Sequence, residues 1–322
     1  LAATLSPDLS GSKQALARCW RDLERQITTP VPWNERASEN RTTERSQEAV
    51  AQKLRAALRL PELWEAVMTS ELSAQAGPPS EGDGYIEQEL LLSIGALGQV
   101  HGRLLLPAGS GAPWPAVLVL PGHEETAEEH RDARGGAELA RRGLAALILD
   151  TRAYDGRGGA EHDASLALLC AGHSLLAIRV IEALSALDVL GADPRICRGR
   201  IGVLGHSGGG GVARLVGWLS PDVAALVVAT QSTYSTILER YEAGVLQGDR
   251  MLTDDYDPDV AGLASAVDQF ELLDLPVRVD PYDGPGEPSE QARTPPDGQH
   301  DTIGWLLRSL GGGSTPPPEA AP

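Results

Sequence analysis

The clearest pattern along the chain is an alternation of short apolar runs with longer segments in which apolar residues recur every three or four positions. Continuous apolar runs of this length are typical of strands buried on both faces, and they occur at residues 114–120, 144–149, 201–204 and 223–229. The spacing of a helix appears at residues 128–142 and 164–190. This alternation predicts βαβ units that form a mostly parallel sheet with right-handed crossovers and helices on both faces.

Two strand-like segments precede the first buried run, at residues 85–94 and 99–106, with a glycine-containing turn between them. At the other end, residues 275–280 predict a last strand and residues 302–310 an amphipathic helix. We therefore expect one α/β domain at residues 85–310. Residues 311–322 are rich in Gly and Pro and predict a flexible tail.

The first 80 residues differ from this pattern and predict a helical N-terminal extension. Helical spacing occurs at residues 12–26 and 47–60, and residues 60–68 predict a further short helix with Pro61 in its first turn. Residues 77–84 have the composition of a linker. These helices could cover a sheet edge or close over a site, and we favour simple packing.

Charge narrows the partners that the protein can have. The 322 residues carry a formal net charge of −18, which argues against binding to nucleic acid or to anionic membrane surfaces. No apolar run approaches the length of a membrane span. We expect a cytoplasmic protein, or a secreted one if a leader preceded Leu1. The oligomeric state stays open.

Two other features of composition add little about function. Lys13 and Lys53 are the only lysines, a bias that suggests a GC-rich bacterial source. The three cysteines share no metal-type spacing and form no disulfide framework.

The most informative motif is Gly205-His206-Ser207-Gly208-Gly209, which follows an apolar run and precedes a segment with helical spacing. A G-x-S-x-G sequence in a strand–turn–helix setting is typical of a serine nucleophile on a sharp turn. Bulky side chains two residues either side of the serine would collide, so glycine is expected at both positions. We expect Ser207 to be the nucleophile, and we expect the His206 ring to pack under the turn.

A serine hydroxyl needs a base to take its proton and an acid to orient that base. His300 is the only histidine downstream of Ser207 and lies just before the last predicted helix, so it is the candidate base. The acid should follow the strand that ends near residue 280. Both Asp280 and Asp283 qualify; we prefer Asp283, which is followed by glycine, and keep Asp280 as the alternative.

The oxyanion formed during acyl transfer needs two backbone donors. The first should be the N–H of Gly208, directly after the nucleophile, and the second should come from the loop after the first long buried strand, where His123 is the candidate. No metal or cofactor is expected. The acidic run at residues 254–259 lacks the ligand spacing of a calcium-binding loop.

Together these stretches resemble the dienelactone-hydrolase and acetyl-xylan-esterase side of the α/β-hydrolase superfamily. The similarity covers roughly residues 85–310 and rests on the segments at 102–107, 115–123, 150–152, 193–194, 200–209 and 299–300. The resemblance implies an α/β-hydrolase fold and a serine esterase or deacetylase that cleaves a small carboxylic ester without a cofactor. A serine at position 207, where dienelactone hydrolase has cysteine, points to the esterase side.

One departure from the family keeps two alternatives open. Relatives usually have a helix and a strand between acid and histidine, whereas here only residues 284–299 are available, and they are rich in Pro, Gly and acidic residues. A catalytically impaired hydrolase-fold binding protein is therefore one alternative. A peptidase of the prolyl-oligopeptidase type is the other, although the N-terminal extension is too short for a propeller domain.

Overall fold

A computed structural model of the chain describes residues 46–67, 72–123, 125–152, 173–229, 267–280 and 301–311, together with residues 165, 168, 260 and 263. The helix predicted at residues 12–26, the acidic run at 254–259 and the predicted tail beyond Gly311 lie outside the described residues. So do two of the candidate site residues, Asp283 and His300.

The described residues build one nine-stranded sheet with helices on both faces. In chain order the strands are β1 (Ser73–Ala76), β2 (Ser80–Glu81), β3 (Tyr85–Ser93), β4 (Gln99–Pro107), β5 (Trp114–Leu120), β6 (Ala145–Leu149), β7 (Ile196–His206), β8 (Val223–Ala229) and β9 (Val277–Asp280). The helices are α1 (Gln47–Ala57), α2 (Leu60–Val67), α3 (Ala127–Asp132), α4 (Gly136–Arg141), α5 (Leu175–Ala192), α6 (Gly208–Leu219) and α7 (Thr302–Ser309). Short 3₁₀ turns occupy Gly95–Leu97 and Phe270–Leu272.

The strand order is β1-β3-β4-β6-β5-β7-β8-β9, with β2 paired to β3 outside this path. Strands β6, β5, β7, β8 and β9 are mutually parallel, and β4, β3 and β1 extend the sheet in antiparallel fashion. The predicted, mostly parallel α/β sheet is therefore confirmed. The chain moves from β5 outward to β6 and then returns to the other side of β5 with β7. The loops after β5 and β7 consequently meet at a switch point, where α/β proteins place their sites.

The core has two halves, one on each face of the sheet. Alternate residues of β5 divide between them: Leu118 and Leu120 belong to the half that α1, α5 and α6 cover, and Val117 and Val119 to the half that α3, α4 and α7 cover. All four are at most 2% exposed. An apolar side chain at every position of β5 is therefore required for packing on both faces.

Three predictions of element boundaries need correction. The helix predicted at residues 128–142 is two helices, α3 and α4, separated at Gly135, whose φ of 88° is left-handed. The helix predicted at 164–190 has its described N-terminus at Leu175, because Ser174 is extended and caps Ala177 N–H. The segment at 77–84 is not only a linker, since Ser80–Glu81 pairs with β3.

The helices α1 and α2 match the prediction for residues 47–60 and 60–68 closely, and they pack as expected. Val50, Leu54, Leu58 and Leu63 are all buried in the core half that contains Leu118 and Leu120 of β5. Within the described part of the chain, no helix combines the length and the apolar character needed to cross a membrane.

Candidate active site

Ser207 stands alone between β7 and α6, in a backbone conformation that is rare for a residue with a side chain. Its φ is 51° and its ψ −120°. A left-handed φ at a non-glycine residue costs free energy and persists only where the surroundings enforce it. Here the Ser207 N–H donates to the Ala229 carbonyl at the end of β8, with 2.7 Å between N and O. The residue as a whole is half-buried.

The glycines on both sides of Ser207 make this turn possible. A Cβ added at Gly205 would lie 2.2 Å from the Gly209 carbonyl oxygen, and one added at Gly209 would lie 2.1 Å from the Leu120 carbonyl oxygen. Real Cβ atoms do not approach other atoms so closely. The steric reason for glycine at these two positions, predicted from the sequence, is therefore confirmed.

The loop after β5 lies directly against the nucleophile turn. A Cβ added at Gly122 would lie 2.5 Å from the Ser207 Cβ and 2.8 Å from the His206 carbonyl oxygen. We call residues 121–123 the Gly122 loop. Its last residue, His123, is half-buried. Gly208 follows Ser207 directly and opens the 12-residue helix α6. Both predicted oxyanion donors thus belong to segments that border Ser207.

The Gly122 N–H itself already donates a hydrogen bond within the protein. It donates to Glu125 Oε2, with 2.6 Å between the two atoms. Because this amide already has an acceptor, it is not available to an oxyanion. The assignment of the second donor to the neighbouring residue, His123, is consistent with this geometry.

Beneath the turn lies a compact polar cluster that sequence reasoning did not identify as part of the site. We call it the Glu125 cluster; its members are Glu125, His130, Arg134 and His206. His130 and His206 are only 2% and 5% exposed. The two imidazole rings meet edge to face, with 6.0 Å between their centroids. The ring of His206 is buried against Glu125 and His130, which is consistent with the expectation that it packs under the turn.

Glu125 is the centre of this cluster. Its Oε2 lies 2.7 Å from His130 Nε2, and its Oε1 lies 2.7 Å from His206 Nδ1 and 3.0 Å from Arg134 NH2. Burial raises the pKa of the Glu125 carboxyl, but the contacts with His130 and His206 and the Gly122 N–H outweigh burial and hold that pKa well below its ordinary value. The Glu125 carboxyl is therefore ionised at neutral pH.

The sequence did contain a signal for this cluster. Thr126 and Glu129 form a capping box, with Thr126 Oγ1 accepting from Glu129 N–H and the Glu129 carboxylate accepting from Thr126 N–H. A capping box fixes the start of a helix, so Glu125 must lie just outside it and His130 within its first turns. What the sequence does not show is that His206, 81 residues away, completes the group.

Glu125, His130 and His206 could also hold a metal ion, because their ligand atoms all lie within 4.8 Å of one another. Two histidines and a carboxylate are ligands that zinc accepts. However, the Arg134 guanidinium already contacts both the Glu125 carboxylate and, at 3.1 Å, His206 Nε2. The positive charge that a metal would bring is therefore supplied by the protein.

Asp280 ends β9 at the same edge of the sheet. In the register of the sheet, Asp280 pairs with Ala229, and Ala229 pairs with His206. Two strand spacings, roughly 10 Å, therefore separate the end of β9 from the nucleophile turn. The Asp280 carboxylate accepts from Arg278 Nε and from Thr302 Oγ1, each at 2.5 Å.

A cavity of about 390 Å³ opens at this edge. Residues that line it include Glu125, Glu128 and Asp150, the residue directly after β6. Burial raises the pKa of the Asp150 carboxyl, against the Ala127 N–H and the charge of Arg103, which lower it. The cavity shares Glu125 with the cluster below the turn, but Ser207 does not line it.

No protein-family model and no curated protein sequence matches this chain. Among solved structures, acetyl xylan esterase 1 from Thermoanaerobacterium sp. superposes with a TM-score of 0.57 at 13% identity, covering 89% of this chain and 99% of its own. An acetyl xylan esterase from Paenibacillus sp. gives a TM-score of 0.52 at 15% identity, covering 79% of this chain and 93% of its own.

Other neighbours are matched over less of their length. The chain spans 61% of a glucuronoyl esterase from Teredinibacter turnerae, at a TM-score of 0.47 and 19% identity. It spans 55% of a protein from Bacteroides fragilis, at a TM-score of 0.48 and 18% identity. The likeness to the two acetyl xylan esterases establishes the class of structure: the chain has the α/β-hydrolase fold that its sequence predicts.

Proposed function

We propose that this protein is a serine hydrolase that cleaves small carboxylic esters through an acyl-enzyme on Ser207. The observation that carries the proposal is the backbone of Ser207, held at a φ of 51° with the Gly122 loop directly against its side chain. A strained, half-buried serine beside a close backbone segment is what a nucleophile with an oxyanion site requires. Packing alone gives no reason to retain such strain.

In the proposed reaction, Ser207 Oγ attacks the carbonyl carbon of the ester while His300 takes the hydroxyl proton. The carbonyl oxygen becomes an oxyanion, which the N–H groups of Gly208 and His123 stabilise. The tetrahedral intermediate then releases the alcohol, which receives the proton from His300. Water repeats the sequence on the acyl-enzyme and frees the acid, with Ser207 restored.

One described contact supports this assignment of partners, although His300 itself lies outside the described residues. Asp280 is bonded to Thr302, so the chain two residues after His300 lies at the end of β9. Asp280 is therefore the acid that the described contacts favour, and Asp283 remains the other candidate. The two solved structures with TM-scores above 0.5 are both named acetyl xylan esterases, which makes acetyl esters the first substrates to test.

The test is labelling of the full chain with a fluorophosphonate, together with hydrolysis of p-nitrophenyl acetate. We expect wild-type protein to be labelled, and we expect Ser207→Ala to abolish labelling and to lower hydrolysis by about a thousand-fold or more. Ser220→Ala, at the other end of α6, is the matched control and should retain both activities. In the same assay, whichever of Asp280→Asn and Asp283→Asn loses hydrolysis identifies the acid.

Two outcomes would contradict the proposal. A folded wild-type protein that is neither labelled nor active on any ester of an acyl-length series would support the impaired, ligand-binding alternative instead. Faster cleavage of aminoacyl amides than of acetyl esters would support the peptidase alternative.

A further inference from the structure

The Glu125 carboxylate contacts two segments, the Gly122 loop and the turn that carries Ser207. The proposed chemistry depends on the position of these segments relative to each other. One oxygen, Oε2, accepts the N–H of Gly122 at 2.6 Å. The other, Oε1, lies 2.7 Å from Nδ1 of His206, the residue directly before Ser207. The Glu125 side chain is only 13% exposed. It therefore lies inside the junction between the Gly122 loop and the nucleophile turn.

We propose that Glu125 is a positioning residue that ties the Gly122 loop to the nucleophile turn and so fixes the His123 N–H relative to Ser207. The inference rests on the proposed function. A donor displaced by even a fraction of an ångström stabilises an oxyanion less well, and the loss is expressed in the transition state rather than in substrate binding.

The rest of the cluster explains how an anion can sit so near a developing oxyanion. An uncompensated carboxylate there would oppose the reaction, but Arg134 NH2 lies 3.0 Å from Glu125 Oε1 and neutralises it. Because a guanidinium only donates, its contact with His206 Nε2 at 3.1 Å makes that nitrogen the acceptor.

His130 supports the carboxylate from the other side. Its Nε2 lies 2.7 Å from the same Oε2 that accepts the Gly122 N–H, and its side chain is 2% exposed. The carboxylate thus has partners on both oxygens. A side chain held in this way has one orientation, which is the property that a positioning residue needs.

The experiment compares Glu125→Ala and Glu125→Gln with wild type on p-nitrophenyl acetate, and measures inhibition by phenylboronic acid, which forms a tetrahedral adduct on a nucleophilic serine. For Glu125→Ala we expect kcat to fall about 100-fold, as for loss of an oxyanion donor. The inhibition constant of the boronic acid should rise in parallel, while KM changes little. Glu125→Gln keeps an oxygen for the Gly122 N–H but loses its charge, and should fall between Glu125→Ala and wild type.

Glu138→Gln is the matched control, because Glu138 is a half-exposed glutamate on α4 that pairs with Arg141. It should leave kcat, KM and the inhibition constant unchanged. If Glu125→Ala does not fold, the isosteric Glu125→Gln carries the test alone, with the same split between kcat and KM.

Three results would overturn the positioning role. One is unchanged kcat in both Glu125 variants, and a second is a rise in KM at constant kcat. The third is loss of wild-type activity in EDTA with recovery on added zinc, which would make the cluster a metal site. In each case the wild type is an active esterase, whereas an inactive, unlabelled wild type would refute the proposed function itself.

Discussion

At the residue scale, Ser207 illustrates how local sterics dictate sequence. Its left-handed backbone brings the carbonyl of Gly209 within 2.2 Å of the Cβ position at Gly205. The same tight turn brings Gly209 against the carbonyl of Leu120 at the end of β5. Neither contact can be relieved by rotating a flexible side chain, because the atoms that would collide belong to the backbone.

Gly205→Ala should therefore destabilise the protein and misplace the nucleophile. We expect a loss of about 1–3 kcal/mol in the free energy of unfolding, the usual cost of overpacking, with a large loss of fluorophosphonate labelling. Gly199→Ala on the same strand is the control, because a Cβ there meets nothing within 4 Å. Urea unfolding of both variants checks the prediction, and equal stability of the two would contradict it.

Gly205 was predictable because its reason is local: the backbone that an added Cβ would meet belongs to the same sharp turn, four residues along the chain. Gly209 was predictable only as part of the motif, since the contact that requires it there is with Leu120, at the end of β5. The Glu125 cluster was not, because its members lie at the start of α3 and at the end of β7, and only the fold brings them together. The sequence alone shows that Glu125, His130 and Arg134 are close to one another along the chain. It does not show that His206, the residue before the nucleophile, contacts them in the fold. Whether His300 completes the site stays a prediction.

At the element scale, periodicity located nearly every helix and strand but not the breaks within them. The predicted helix at 128–142 divides at Gly135, whose φ of 88° is left-handed. At the next residue, Gly136, an added Cβ would lie 2.8 Å from both the His130 carbonyl oxygen and the Ile148 Cδ1. The apolar spacing continues through the break, so the pattern alone cannot reveal it. The left-handed backbone at Gly135 and the close approach of Gly136 to the end of α3 mark where the helix divides.

The start of α7 shows a stronger link between sequence and structure. Asp301 is its N-cap and accepts the Gly304 N–H at 2.7 Å, and it also pairs with Arg142 NH1 at 2.7 Å. The bond from Arg142, followed by that from Gly304, lowers the pKa of Asp301 to about 2. This side chain connects the helix that follows His300 to the segment that follows α4.

Two substitutions of Asp301 should separate the contribution of the N-cap from that of the ion pair with Arg142. We expect Asp301→Ala to cost about 1 kcal/mol, as for other lost N-caps. Asp301→Asn keeps the cap and loses only the pair with Arg142; because the Asp301 side chain is 46% exposed and therefore screened, that loss should be within about 0.5 kcal/mol.

The pH dependence of unfolding gives the second measurement for Asp301. Its folded-state pKa lies below the unfolded value of about 3.9, so ionised Asp301 stabilises the fold above pH 4. That contribution is lost as the pH falls toward 2. The stability difference between wild type and Asp301→Asn should thus be constant near neutrality and shrink below pH 4. A difference that persists unchanged at pH 2 would contradict the assignment.

At the scale of the whole molecule, the sheet collects groups that are far apart in sequence. The Gly122 loop follows β5, Ser207 follows β7 and Asp280 ends β9, and the parallel register brings all three to one edge. The meeting of these three segments at one edge could be predicted from the parallel strands that the sequence indicates. The antiparallel edge strand β1 was missed because its four residues are all exposed and show no apolar alternation.

The N-terminal helices belong to the same folding unit as the sheet. Leu54 on α1 is completely buried, in a core half that also contains Leu118 of β5 and Leu215 of α6. Arg55 NH2, on the next residue, donates to the Leu219 carbonyl at the end of α6, the helix that begins behind Ser207. These contacts favour packing over the alternative of a lid that opens and closes.

Leu54→Ala should therefore lower the stability of the entire protein by about 2–5 kcal/mol, the cost of a cavity at a buried leucine, and shift one cooperative unfolding transition. Since α1 is part of the core, esterase kcat and KM of the folded fraction should stay close to wild type. Gln52→Ala, on the exposed face of the same helix, should change neither quantity. Unfolding followed by tryptophan fluorescence and by circular dichroism checks the result. If the main transition kept its midpoint while KM changed, α1 would be a mobile cover over the site rather than a layer of the core.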